Sequence, residues 1–334
     1  MKQWIRKELL LNATAQMLRK FSSVTRSTMS SLISTSQLKS ILSKVTILDA
    51  SWYLPSTGRN GYEEYKQQRI PGAQFFDING SGLSDKTTSL PHMLPSTTEF
   101  AQAAASLGIT KTKPVVVYDS AGLFSAARVW YHLRTFGHKN VSVLDGGFPQ
   151  WIDDGYEIET GPLLSSKIEV EEWLVNKESV RSFNQICDTI SIRKENRNVE
   201  DLRANEIIVD ARGSGRFTGQ DIEIRPGIKS GHIPGSLNVP YTLVLDSSRK
   251  NRCLLSKVDL QKVFEESGVD LTRTGKIITS CGSGVTAAVI TLALTEAGRP
   301  FESTALYDGS WTEYGGLTTS EIALGKVDVN DLRK

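Results

Sequence analysis

Ile277-Ile278-Thr279-Ser280-Cys281-Gly282-Ser283-Gly284-Val285-Thr286 passes from a short β-branched run, through a glycine-rich turn, into an apolar helical stretch from Ala287 to Ala297. Such a short, mostly apolar run reads as a strand buried on both faces. Strands that alternate with helices through short links make an α/β fold with a mainly parallel sheet. In such sheets ligands sit beyond the carboxyl ends of the strands, which is where Cys281 lies. The N–H groups of the turn, with the helix N-terminus, form an anion site. A cysteine there is favoured as the thiolate, the nucleophilic form. The plainer alternative is a small buried residue at a tight turn; two glycines and a serine around the thiol weigh against it.

The same grammar extends outward. Ile47–Asp49, Val115–Tyr118 and Val141–Leu144 read as further buried parallel strands. Ser96-Thr97-Thr98-Glu99 is a capping-box pattern; Phe100, Ala103, Ala104 and Leu107 follow on one face, and Gly108 stops the helix. Ser256–Asp259, Leu260, Val263, Phe264 and Gly268 repeat that pattern. The chain as a whole repeats once, at an offset of about 160 residues. Arg69-Ile70-Pro71-Gly72-Ala73 corresponds to His232-Ile233-Pro234-Gly235-Ser236, and Val143-Leu144-Asp145-Gly146-Gly147 to Leu306-Tyr307-Asp308-Gly309-Ser310. A period this long means duplicated domains rather than a solenoid. The expected layout is a tail over 1–35, a first domain over 36–160, a polar linker over 161–200 with a helix around Ser182–Ile190, and a second domain over 201–325.

Composition is that of a globular chain: 334 residues, 39% hydrophobic and 23% charged, which excludes global disorder. With 39 basic against 37 acidic residues the net charge is +2, so direct nucleic-acid binding is not expected. No apolar stretch approaches the ~18–20 residues that span a bilayer, and no membrane association is expected. Three cysteines cannot build a disulfide framework and argue for a reducing compartment. Residues 1–35 carry six basic residues and one acid, Glu8, with seven serines between Ser22 and Ser36. That composition fits a mitochondrial transit peptide, the alternative being a disordered tail. Met29 offers an internal start that would give a cytoplasmic form.

The other thiols read differently: Cys187 as a packing residue, Cys253 as an incidental thiol. A P-loop needs Gly-Lys-Ser/Thr at the loop end, and none is present. A cysteine phosphatase needs an arginine to grip phosphate bidentately where this chain has Ala287. No His/Cys cluster has metal spacing and no Gly-x-Gly-x-x-Gly follows a strand, so neither metal nor other cofactor is expected. Asp145 and Asp308 are expected to bond their own turns. Trp52, Trp130, Trp151 and Trp311 are expected in the core or domain interface, and His132, His138 and His232 in structural positions.

Cys281-Gly282-Ser283-Gly284-Val285-Thr286, Gly231-His232-Ile233-Pro234-Gly235 and Tyr307-Asp308-Gly309-Ser310-Trp311 resemble the rhodanese superfamily. Trp52-Tyr53-Leu54-Pro55, Phe75-Phe76-Asp77, His92-Met93-Leu94-Pro95 and Gly215-Arg216-Phe217 narrow the resemblance to its tandem-domain mercaptopyruvate type. The resemblance covers nearly everything after residue 40. It implies two rhodanese domains, only the second with a reactive cysteine; Asp119 stands at the matching first-domain position, and a carboxylate cannot carry sulfane sulfur.

The resemblance implies Cys281, Ser283, Asp77 and His92 as catalytic residues. It implies Arg216, Arg225, Gly282, Gly284, Val285 and Thr286 around the substrate. Guanidinium geometry suits a carboxylate. The chain departs from the family pattern at Ile224, where Glu-Pro-Arg is usual, and at Pro91, where some relatives have Asp. Gly282 and Ser283 replace the Arg and Lys of thiosulfate-preferring members, which favours a monocarboxylate donor over a compact dianion. The implied reaction moves sulfur from 3-mercaptopyruvate to Cys281 as a persulfide, releases pyruvate, and passes the sulfur to a nucleophile. Implied acceptors are thioredoxin, small thiols or cyanide, and a sulfur-relay protein of tRNA thiolation. The alternatives are a thiosulfate:cyanide sulfurtransferase and a non-catalytic rhodanese-like module that binds a partner.

Overall fold

The computed structural model describes residues 29–161, 167–195 and 203–327. The first half holds β1 (Leu32–Ile33), β2 (Thr46–Asp49), β3 (Gln74–Phe75), β4 (Val115–Tyr118) and β5 (Val141–Leu144), in spatial order β1-β5-β4-β2-β3. The second holds β6 (Val180–Arg181), β7 (Ile207–Asp210), β8 (Leu237–Asn238), β9 (Ile277–Ser280) and β10 (Thr304–Tyr307), in order β6-β10-β9-β7-β8. Every pairing is parallel. The two sheets share one topology, and their central registers correspond: Thr46 opposite Val115 in one, Ile207 opposite Ile277 in the other. Both are α/β sheets flanked by helices, as the strand–helix alternation predicts.

Each central strand is buried along its whole length. Parallel strands need crossovers, and crossover helices cover both faces, so these strands carry no polar side to show to water. The chain reverses direction across each sheet between β2 and β4, and between β7 and β9. Such a switch point opens a crevice at the strands' carboxyl ends.

The helix Val285–Glu296 is apolar almost all round, and nine of its residues are buried. A helix of that kind has no face for solvent. It packs between its own sheet and the first-half helix Ala126–Thr135, so one continuous hydrophobic core runs from Val117 and Val129 into Val289 and Ile277. Trp130 meets Phe301 edge to face across this junction, with centroids 5.5 Å apart. Trp130, Trp151 and Trp311 are fully buried; Trp52 is half-buried against the same core.

Two short edge strands differ from the sequence reading. Residues 1–28 of the basic tail lie outside the described residues, but Leu32–Ile33 already pairs with β5, and Ser34 caps the helix Thr35–Ile41 with a complete capping box. Val180–Arg181, assigned to the linker, pairs with β10, and Ile186 and Ile190 of the helix Phe183–Glu195 enter the second sheet's core. A two-residue edge strand leaves no periodicity to detect.

Candidate active site

Cys281 leaves the carboxyl end of β9 beside the end of β7, where Ala211 N donates to Ser280 O at 2.8 Å. The loop that follows is shaped from outside. Trp311 N and Thr312 N donate to the carbonyls of Cys281 and Gly282, both at 3.0 Å. Thr312 Oγ1 adds a 2.6 Å bond to Gly282 O, and Cys281 N donates to Ser310 Oγ at 3.3 Å. With those carbonyls tied to the Asp308–Thr312 turn, loop amides are left for the sulfur: Gly284 N donates to Cys281 Sγ at 3.1 Å. Gly284 has φ +84°, a left-handed conformation that a residue with a Cβ adopts only at a cost. The loop is buried except for Thr286, which is half-buried beside Val285 at the helix start. The hydroxyls of Ser283 and Thr286 make no hydrogen bond among the described residues, so both are free to meet a ligand.

Arg216 sits on the short helix Ser214–Thr218 and Arg225 on the loop after it. Sequence reasoning selected both but missed the residue that holds them. Glu223 accepts from Arg216 Nη2 at 2.6 Å and from Arg225 Nη1 at 3.1 Å, with its side chain only 2% exposed. Burial alone would raise the Glu223 carboxyl; the hydrogen bond and charge of Arg216, with the charge of Arg225, outweigh it and hold it below the usual value. The one available signal was an acid between two isoleucines, both of which turn out exposed. Arg225 reaches the cysteine loop itself: a Cβ added to Gly282 would lie 2.9 Å from Arg225 Nη2.

His92 comes from the first half. It is buried, its φ is +63°, and its Nδ1 has no partner. Its ring stands edge-on to Trp52, with centroids 4.7 Å apart. Burial first, then the charges of Arg128, Arg225 and Lys86, push its pKa down to about 3. The imidazole is therefore neutral at ordinary pH, and two cations that touch the cysteine loop act on it.

Asp308 brings the halves together. Its Oδ2 accepts from Leu94 N at 2.8 Å and its Oδ1 from Arg128 Nη2 at 2.6 Å, while the same Nη2 donates to His92 O. Asp145 does the converse, accepting from Leu254 N at 2.9 Å and from Arg249 Nη1 at 3.3 Å. Both aspartates were expected to brace their own turns; instead each reaches across to the other half. Asp77 is exposed, and its bond is local: Oδ1 accepts from Asn79 N at 2.8 Å, an Asx turn after β3. No hydrogen bond joins Asp77 to His92, Ser283 or Cys281 among the described residues.

The first-half loop explains its missing thiol. Asp119 is buried; Oδ1 accepts from Ala121 N at 2.9 Å, and Oδ2 from Phe124 N at 2.9 Å and Ala126 N at 2.8 Å. Its own carboxylate fills the cradle. Burial raises its pKa, against the three N–H bonds that favour the anion. Cys253 lies under Asp145, its thiol pushed up to about 12 by burial and by that carboxylate. Cys187 is half-buried on the helix Phe183–Glu195 and also raised, by burial and then by the charge of Asp188. Of the three thiols, Cys281 alone stands in an amide-lined loop.

A family model described as rhodanese-like domain matches the chain twice, over residues 34–154 and 195–316. The chain belongs to the rhodanese family. Its 3-mercaptopyruvate sulfurtransferase relative from Rattus norvegicus is 42% identical over 270 residues, 80% of this chain and 84% of the relative. An Arabidopsis thaliana relative named thiosulfate/3-mercaptopyruvate sulfurtransferase 1, mitochondrial, is 41% identical over 279 residues, 80% of this chain and 71% of its own length. The crystal structure of Tum1 protein from Saccharomyces cerevisiae superposes with a TM-score of 0.76 at 30% identity, covering 90% of this chain and 99% of that one. This rhodanese-family chain is a sulfurtransferase enzyme.

Proposed function

We propose that this enzyme takes sulfur from 3-mercaptopyruvate through a persulfide on Cys281. The observation that carries the reading is Arg225, fixed by Glu223 and lying over Gly282 next to the reactive loop. It supplies a cation for one carboxylate, while Gly282 and Ser283 add none for a compact dianion. Arg216 and Arg225 hold the carboxylate and keto end of the donor. The Cys281 thiolate attacks the donor's sulfur. The sulfur–carbon bond breaks, and its electron pair leaves with the carbon as the enolate of pyruvate. The proton of the donor's own thiol completes pyruvate and leaves the persulfide anionic, with Ser283 as the relay. Loop N–H groups and Thr286 stabilise charge on the sulfur. His92, neutral, orients and does not act as an acid. Asp77, which we retain in the relay on family resemblance alone, would reach it only by moving from its turn.

A second nucleophile takes the outer sulfur and restores the thiolate, a ping-pong sequence. The acceptor is a thiol or other nucleophile: a small thiol, cyanide, or a protein such as thioredoxin or a sulfur-relay protein of tRNA thiolation. The basic, serine-rich composition of residues 1–35 supports mitochondrial targeting. A chain started at Met29 would keep β1, since Met29 packs against the first core, and would give a cytoplasmic form.

The test is pyruvate and sulfide release from 3-mercaptopyruvate with a dithiol, run beside thiosulfate with cyanide. A preference in kcat/KM for mercaptopyruvate, with a reducible mass gain of one sulfur atom on Cys281, is expected. A preference for thiosulfate transfers the reading to thiosulfate:cyanide exchange. Turnover by Cys281→Ser overturns the mechanism; silence with both substrates overturns it too and leaves the partner-binding module.

A further inference from the structure

We propose that Arg128, a first-half residue that need not touch substrate, is the positioning residue that sets the reactive-cysteine loop and His92 relative to each other. The inference rests on the Cys281 chemistry above but not on which donor is used.

Arg128 sits one turn into the helix Ala126–Thr135, and its side chain is 1% exposed. A buried guanidinium is costly unless its charge is paired and most of its donors are answered. Nη2 is answered twice, by Asp308 Oδ1 of the second half and by the His92 carbonyl of the first. Nη1 has no hydrogen-bond partner. It stands against the cysteine loop: a Cβ placed on Gly284 would lie 2.8 Å from Nη1 and 3.5 Å from Asp308 O. Gly284 is the residue whose N–H donates to Cys281 Sγ. One cation therefore borders three things that must agree: the Asp308 turn that shapes the loop from outside, the Cα side of Gly284, whose amide faces the sulfur, and the left-handed backbone of His92.

The helix that carries Arg128 is itself anchored, because Ala126 N donates to Asp119 Oδ2 at 2.8 Å. The carboxylate that replaced the first-half thiol thus holds the start of the helix that supports the second-half thiol. Arg212 Nη1 is buried without a hydrogen-bond partner too, so it is the place of Arg128 Nη1 against Gly284, not the missing bond, that carries the inference. A purely electrostatic arginine would have no reason to grip the His92 carbonyl.

Arg128→Lys separates these roles. A lysine keeps the charge and reaches Asp308 and the His92 carbonyl with one ammonium, but has no second nitrogen for the Gly284 side. The expected result is a folded enzyme whose KM for mercaptopyruvate stays within about threefold, since Arg216 and Arg225 are untouched. Its kcat and its rate of Cys281 alkylation by iodoacetamide both fall at least tenfold. Asp308→Asn, which removes the charge that orients Arg128 but keeps an acceptor, should show the same split and serves if the lysine variant does not fold. Both rates within twofold of the parent in the folded variant overturn the proposal, as does a loss confined to KM. The alkylation rate needs no sulfur donor. A parent enzyme inactive on mercaptopyruvate whose lysine variant still loses alkylation rate would sink the substrate reading and leave the role of Arg128 standing.

Discussion

Glu223 Oε2 accepts from Arg216 Nη2 at 2.6 Å, and the other oxygen of the same carboxylate holds Arg225 beside the cysteine loop. Two cations that would repel each other are thereby kept on one wall, aimed by a group that need not touch substrate. Glu223→Ala should raise KM for mercaptopyruvate about ten- to a hundredfold with a smaller change in kcat. That range corresponds to losing a charge-assisted hydrogen bond of about 1.5–3 kcal/mol. Steady-state kinetics check this; an unchanged KM would mean that the arginines are held by something else.

His92 makes stability depend on pH. Its folded pKa lies near 3, against 6.5 for an ordinary histidine. The unfolded chain therefore binds the proton first as pH falls below 6.5, and stability is lost progressively down to about pH 3. Above 6.5 the effect vanishes. At pH 5 the loss amounts to about 2 kcal/mol. His92→Asn, which tolerates the left-handed backbone, should flatten denaturant-midpoint curves between pH 7 and 5 by that amount. His132, His138 and His232 are depressed in the same direction, chiefly by burial, so the parent curve is steeper than His92 alone would make it.

Asp119→Ala leaves three backbone N–H groups in a sealed cradle without their acceptor. At about 1–3 kcal/mol for each unsatisfied buried donor, partly relieved by relaxation, a loss of about 3 kcal/mol is expected in urea unfolding. Asp119→Asn keeps one acceptor oxygen and should lose less. Equal stability of all three proteins would show that the cradle does not need an anion.

The two crossed aspartates predict opposite outcomes. Arg249 is 44% exposed beside Asp145, so Arg249→Ala should change stability by less than about 1 kcal/mol. Asp308 is 6% exposed beside a buried Arg128, and Asp308→Ala strands that cation, at about 3–5 kcal/mol. Matched unfolding curves of the two variants test the ranking.

Much of this was legible along the chain. Ile47–Asp49, Val115–Tyr118 and Ile277–Ser280 announce themselves because a strand buried on both faces must be mostly apolar. Ser96 with Glu99 announces a helix start because the free N–H groups there need acceptors. Cys281 with its glycines announces a ligand loop because glycine takes the left-handed step without the cost a Cβ brings. These are local demands, met by neighbours in sequence.

The rest had no local signature. Leu32–Ile33 and Val180–Arg181 are strands only because β5 and β10 offer them an edge. Asp77 carries a family motif yet closes a turn, and no pattern of letters separates those roles. Glu223 matters because two arginines converge on it, and Asp308 because its turn faces Leu94 and Arg128, 214 and 180 residues away. The sequence by itself determined a duplicated parallel α/β chain with one nucleophilic loop and a carboxylate in place of the other. Only the tertiary structure decided how the halves lock together beside the cysteine loop, because buried charge must be answered by whatever the fold brings within about 3 Å.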